Sequence, residues 1–359
     1  MSSAAQSAQD PTVTIEEQQS KRRIPFYRTR LERQVLAQLN RKSDLMGFLQ
    51  TLGYLGTLAA TGALAWYASL YWSWPWVVLA VFVHGTGYNF MINGFHELCH
   101  NSVFRTRRLN VFFLYVLSFL GWLNPIHFWA SHAEHHKYTL YPPEDGEVVL
   151  PVYMTVKGYL RAAVVDPLGA FNRFRNTFRR GFLGHLNPGW EMILVPPEAT
   201  DHRRRLFRWD RIMFSGHAAL VAGSLYLGWW QLPLLLTLAS FYGRWLFLLC
   251  NSSQHIGLSD EVPDFRLNSR TIYLNPVVQF LYWHMNYHIE HHMYAAVPCY
   301  KLGRLHRAIR HDLPETPNGL VATWRQIGAI QARQKQDPDY QYHPELPETA
   351  NGGTLGSLR

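Results

Sequence analysis

The sequence has little charge, little cysteine and no apolar stretch near its N-terminus. Charged residues make up 16% of its 359 positions, well below the roughly 25% of an ordinary soluble domain. Its three cysteines, Cys99, Cys250 and Cys299, are odd in number and have no CxxC spacing. They argue against both a disulfide framework and a thiolate metal site. The first twenty residues are polar. No cleavable signal peptide is therefore expected, and membrane insertion would have to use internal segments. A groove-reading nucleic-acid motif is also missing, although the net charge is +9. The basic residues lie mostly in two Arg-rich stretches beside apolar runs. They point to a membrane surface and to no nucleic-acid partner.

What the chain has in excess is apolar, aromatic and imidazole side chains: 48% hydrophobic, 14% aromatic and 18 histidines. A mean hydropathy of -0.15 is low for membrane helices alone and implies spans joined to a sizeable polar portion. Residues 1–44 read as a cytosolic tail followed by a basic segment on the headgroup surface. Residues 45–336 form the main membrane and cap domain. Residues 337–359 read as a disordered tail.

Apolar runs from Leu45 to Leu70 and from Val77 to Phe95 each approach the ~20 residues of a spanning helix. The uncharged aromatic turn Tyr71–Trp76 joins them into a hairpin. Ile212–Trp230 and Leu234–Cys250 suggest a second hairpin. Asn110–Ile126 is shorter and interrupted by Gly121 and Pro125, so it reads as interfacial or re-entrant. The expected fold is all-α and integral to the membrane, with four transmembrane helices and a cytosolic helical cap. The Lys/Arg distribution puts both termini and the central region on the cytoplasmic face.

Histidines cluster at four places. His96 and His100 form an HxxxH. His132, His135 and His136 form an HxxHH, as do His288, His291 and His292. His255 follows the fourth apolar run, with Asn251 four residues before it. On a helix, positions i, i+3 and i+4 share one face, so each cluster aims its imidazoles at one point. Imidazole suits iron, zinc, copper and nickel. Nine candidate ligands exceed the three or four that one zinc needs and fit two metals. All four places share one side of the membrane only if the third apolar run does not cross. Glu97, Glu134 and Glu290 lie inside the boxes and are expected to accept the second N–H of ligating rings. Asp145 is a weaker candidate for the same role. His284, one helical turn before His288, could support the site. His84, His127, His185, His202, His217, His306, His311 and His343 read as ordinary surface or packed histidines. Arg244, inside the fourth run, is expected to snorkel or to pair in the interior.

These boxes resemble the membrane fatty-acid desaturase superfamily. HFWASHAEHHKYT is similar to its second box and NYHIEHHMYAAVPCYKL to its third. The Asn251 and His255 pair is similar to the water-holding asparagine and extra ligand of acyl-chain desaturases. Three residues lie between His96 and His100, as in acyl-lipid types. The third box begins with His288 where front-end desaturases have Gln. The resemblance covers about residues 45–310. It implies two iron ions, O2 as co-substrate, a lipid substrate, and electrons from a ferredoxin-, rubredoxin- or cytochrome b5-type donor in trans. Hydroxylases share the scaffold. Two other readings compete. His96-Glu97-Leu98-Cys99-His100 matches the HExxH of a zinc protease, and a metal transporter would also use histidines.

Overall fold

The computed structural model describes residues 23–351 and residue 356. Among them the chain is helical, with only isolated β-bridges such as Tyr27 to Asp264. Asp44–Tyr71 is a 28-residue helix whose start is capped by Ser43, the side chain accepting from the Met46 amide. Trp74–Tyr88 packs back against it. Asn89 then interrupts the ladder, and Met91–Cys99 carries the segment onward. The Asn89 amide donates to the carbonyls of Gly85 and Tyr242, both at 2.7 Å, so the break leaves that buried amide paired.

Helices Arg107–Leu120 and Pro125–Tyr138 meet at a bend of 105°. Asn124 fixes the corner, because its side chain accepts from the Ile126 and His127 amides. The bend turns the chain back and sets the second histidine box beside the first.

The four-span expectation is not met in full. Among the described residues one helix, Trp74–Cys99, is long and apolar enough to cross a membrane, or two if the bent pair counts as one span. Asp44–Tyr71 has the length, but Gly, Thr, Tyr and Gln dilute its hydropathy. Thr200–Tyr226 carries six arginine or aspartate side chains between Asp201 and Asp210, so only its second half is apolar. The fourth run is not one helix. It divides into a π-turn at Pro233–Thr237, a 3-10 turn at Ala239–Phe241 and a helix at Trp245–Ser252. Gly243 lies at φ +65°, where a Cβ would come within 2.7 Å of the Thr86 amide nitrogen. The broken stretch can therefore press directly on the Trp74–Tyr88 backbone. Arg244 pairs with Asp166 at this break.

Leu49, Leu52, Trp74, Val78, Ile212 and Trp229 all face outward and are exposed. So broad an apolar surface marks contact with something other than water. The main core joins the helices to the cap through Tyr54, Phe90, Phe95, Trp283 and Leu302. Residues 337–351, expected as tail, lie against the cap. The Tyr342 amide donates to the Gly257 carbonyl at 2.8 Å, and Asn351 accepts from Arg266 at 2.9 Å.

Candidate metal centre

The boxes sit on three short helical stretches. Met91–Cys99 and its cap present His96 and His100, Pro125–Tyr138 presents the second box, and His288–Met293 presents the third. The nine histidines meet and sort into two groups. His96, His100, His132, His136 and His291 form one, and His135, His255, His288 and His292 form the other. Within each group the candidate ligand atoms lie within 4.8 Å of one another.

The sorting splits each HxxHH box, against the expectation that a box aims all its imidazoles at one point. In each HxxHH the i and i+4 rings go to one group and the i+3 ring crosses to the other. The second box gives His132 and His136 to the five-histidine group and His135 to the four-histidine group. The third box does the reverse, with His288 and His292 in the smaller group and His291 in the larger. The two centres are thus interlocked. The rings of His136 and His292 are 4.6 Å apart, centroid to centroid.

The Nε2 atoms converge. His132 Nε2 lies 2.7 Å from that of His96, 3.1 Å from that of His100 and 2.9 Å from that of His136. His288 Nε2 lies 3.0 Å from that of His255 and 3.1 Å from that of His292. One ring N–H cannot serve three acceptors at once. Ligands about 2.1 Å from a common metal sit roughly 3.0–3.4 Å from each other. The observed spacing matches that polyhedron, so the residues fit a metal pair.

The outward Nδ1 atoms are held by acceptors. His96 Nδ1 is 3.1 Å from Glu97 and His132 Nδ1 is 2.9 Å from Glu147. His135 Nδ1 is 2.8 Å from Asp145, and His255 Nδ1 donates to the Asn268 carbonyl at 2.8 Å. Each such bond places the ring proton on Nδ1 and turns the Nε2 lone pair inward. His291 Nδ1 is 3.5 Å from Glu97, beyond good hydrogen-bond geometry. Burial, aided by neighbouring imidazoles, lowers the pKa of His255 to about 3 and those of His288, His291 and His292 well below the ordinary value. The rings of the cap are therefore neutral and able to act as ligands at neutral pH.

Of the expected supporting groups, Glu97 and Asp145 face ligand rings. Glu134 does not: it bonds Lys137 at 2.6 Å on the outer side of its helix. Glu290 is fully buried but bonds away from the histidine groups, accepting from Thr271 Oγ1 at 2.5 Å and meeting His306. His284 pairs with Gln279 at 3.1 Å. Two groups escaped the sequence reading, Glu147 behind His132 and His306 behind Glu290. His306 in turn meets the Tyr273 hydroxyl at 2.8 Å. Asn251 lines a cavity of about 420 Å³ together with His96, His132, His135, His255 and His288. Rings from both groups therefore border the same space.

No curated protein matches the chain. A family model, fatty acid desaturase, matches residues 73–324. That span contains every histidine of both groups and more than half of the sequence, and the chain belongs to the fatty acid desaturase family.

Proposed function

We propose that the protein is an O2-dependent, membrane-bound di-iron oxidoreductase that introduces a double bond into a lipid acyl chain. The observation that carries this reading is the pair of interlocked histidine groups bordering one cavity. Two irons held there would activate O2 for removal of two hydrogens from adjacent CH2 groups. The balance is one CH2–CH2 unit, one O2, two electrons and two protons in, and one CH=CH unit and two waters out. The electrons come from a ferredoxin-, rubredoxin- or cytochrome b5-type donor in trans.

The chain's own residues set up this chemistry. The Nδ1 acceptors Glu97, Glu147 and Asp145 hold three rings with their lone pairs inward. Ile92, Phe128, Val149, Val152 and Met154 give the cavity an apolar wall suited to a hydrocarbon chain. Asn251, at the edge of the same cavity, can hold a water beside the metals. The basic central region and the exposed apolar helices favour a membrane protein with its active site on the cytoplasmic face.

Hydroxylation is the nearest alternative, because it needs the same ligands and differs in how the substrate carbon is placed. A zinc protease is disfavoured by geometry. Its general base would have to face the metal, but Glu97 backs onto Nδ1 of His96, away from the converging Nε2 atoms. A transporter is disfavoured because the nine histidines gather into two compact groups and do not string along a path. The test is expression of the wild type and Asn251→Ala with a reductase and donor, followed by lipid profiling. A new double bond made by the wild type and reduced in the variant is expected. A new hydroxyl group would select the alternative, and unchanged lipids with both proteins would reject acyl desaturation in that host.

A further inference from the structure

A second cavity lies on the opposite face of the helix that carries the second histidine box. Phe128, His132 and His135 of Pro125–Tyr138 border the metal-lined space. Ile126, Trp129 and Ala130 of the same helix border the other, which has a volume of about 510 Å³. The two cavities share no lining residue. They are separate spaces divided by one helix.

The chemistry of the second space is two-sided. Val111, Leu114, Tyr115, Ile126 and Trp129 line an apolar part. Trp129 and Val111 are each 43% exposed, so this wall is open to the surroundings. Arg107, His202 and Arg205, with Asn101 and Asn110, supply the polar part, and no acidic residue lines it. None of these three basic side chains has a carboxylate partner among the described residues, whereas Arg180, Arg204, Arg244 and Arg266 are all paired. Arg107 begins the helix Arg107–Leu120, and Arg205 lies in the second turn of Thr200–Tyr226. Both sit at the polar ends of helices whose farther parts are apolar. Unpaired basic groups above an open apolar slot, flanked by Tyr115 and Trp129, match the charge and polarity profile of a headgroup layer.

We infer that this cavity binds an anionic phospholipid of the bilayer, with its phosphate at Arg107 and Arg205 and the start of one chain along Val111, Leu114 and Trp129. The site is distinct from the substrate cavity. It is nonetheless close to the metals, because the Trp129 ring lies edge-on to His100 with centroids 5.4 Å apart. A lipid seated there would pack directly behind a ligand of the five-histidine group.

Native mass spectrometry of the full-length protein in a neutral detergent tests this. The probes are dioleoylphosphatidylglycerol, dioleoylphosphatidylcholine and inorganic phosphate. The wild type is expected to retain the anionic lipid in preference to the neutral one. Loss of both arginines in Arg107→Gln/Arg205→Gln should weaken retention about twenty- to thirtyfold, taking roughly fivefold for each basic group near an anionic surface. Arg208→Gln, which removes a nearby charge outside the cavity, should leave retention unchanged. Ala130→Phe keeps both arginines but fills the apolar end, and should also displace the lipid. Equal retention of the two lipids would overturn the inference, as would a double variant that binds like the wild type. Displacement by inorganic phosphate alone would reduce the site to an anion site and overturn the lipid assignment. A dimer that the double variant abolishes would make this face an interface between copies, with the same consequence.

Discussion

The two histidine groups are built from the same boxes but are held in different ways. In the five-histidine group two rings are backed by carboxylates. Glu97 meets Nδ1 of His96, and Glu147 meets Nδ1 of His132. The four-histidine group has one carboxylate, Asp145, behind His135. Two of its other rings lean on neutral acceptors, with the Asn268 carbonyl behind His255 and the Thr139 hydroxyl 3.4 Å from His292 Nδ1. His288 Nδ1 is buried without a partner among the described residues, as is His291 Nδ1 of the five-histidine group. A carboxylate acceptor makes an imidazole a stronger donor to a metal than a carbonyl or hydroxyl does. The lesson is that matched ligand types need not give matched sites. The five-histidine site should hold its metal more tightly, and a chelator titration followed by metal analysis should empty the four-histidine site first.

Substitutions can break this contrast, and the largest effect is expected from removing a ligand of the stronger site. His291→Ala should lower bound metal from two per chain towards one and abolish turnover, as read by metal analysis and product assay. Asp145→Asn should strike the weaker site selectively. Asp145 accepts from His135 and also from the amides of Leu140, Glu147 and Val148. Although burial opposes ionisation, His135 and the amides of Leu140 and Val148 hold its carboxyl below the ordinary range. The expected loss is about 10–100-fold in metal affinity at the four-histidine site, with the other site retained.

His306→Leu acts on both sites at once, because Glu290 and His306 brace the short helix His288–Met293, which feeds both groups. Leaving the buried Glu290 without this partner should cost about 1–3 kcal/mol of stability, read as a lower Tm, with a several-fold fall in metal retention at both sites. Glu134→Gln should change neither metal content nor activity, since its carboxylate pairs with Lys137 at the surface. Loss of one metal in that variant would show that the outward carboxylates matter as much as the inward ones.

The contrast also shows what the sequence could reveal. Box spacing marks eight of the nine histidines, while His255 stands alone and is marked only by its place after the fourth apolar run and by the resemblance. Spacing could not show that the i+3 ring crosses to the other group, since that depends on how three helices meet. Glu134 was expected to support the site because it lies within a box. Two positions after His132, it falls on another face of the helix. Glu147 and His306 were invisible for the opposite reason. They come from 15 and 16 residues away, across turns that no local pattern encodes. Asn268 acts through its backbone carbonyl, which any residue type could supply. The fourth apolar run read as a span because its composition is apolar. Gly243 and the close approach to Thr86 break it, and that contact exists only in the folded chain.

The central claim is a site for two metals. Its most direct test is the metal content of the full-length wild type, purified from cells supplied with both iron and zinc and measured by elemental analysis with Mössbauer spectroscopy. Two irons per chain are expected, in two distinguishable environments that match the five- and four-histidine groups. A single zinc per chain, with no iron signal, would contradict it.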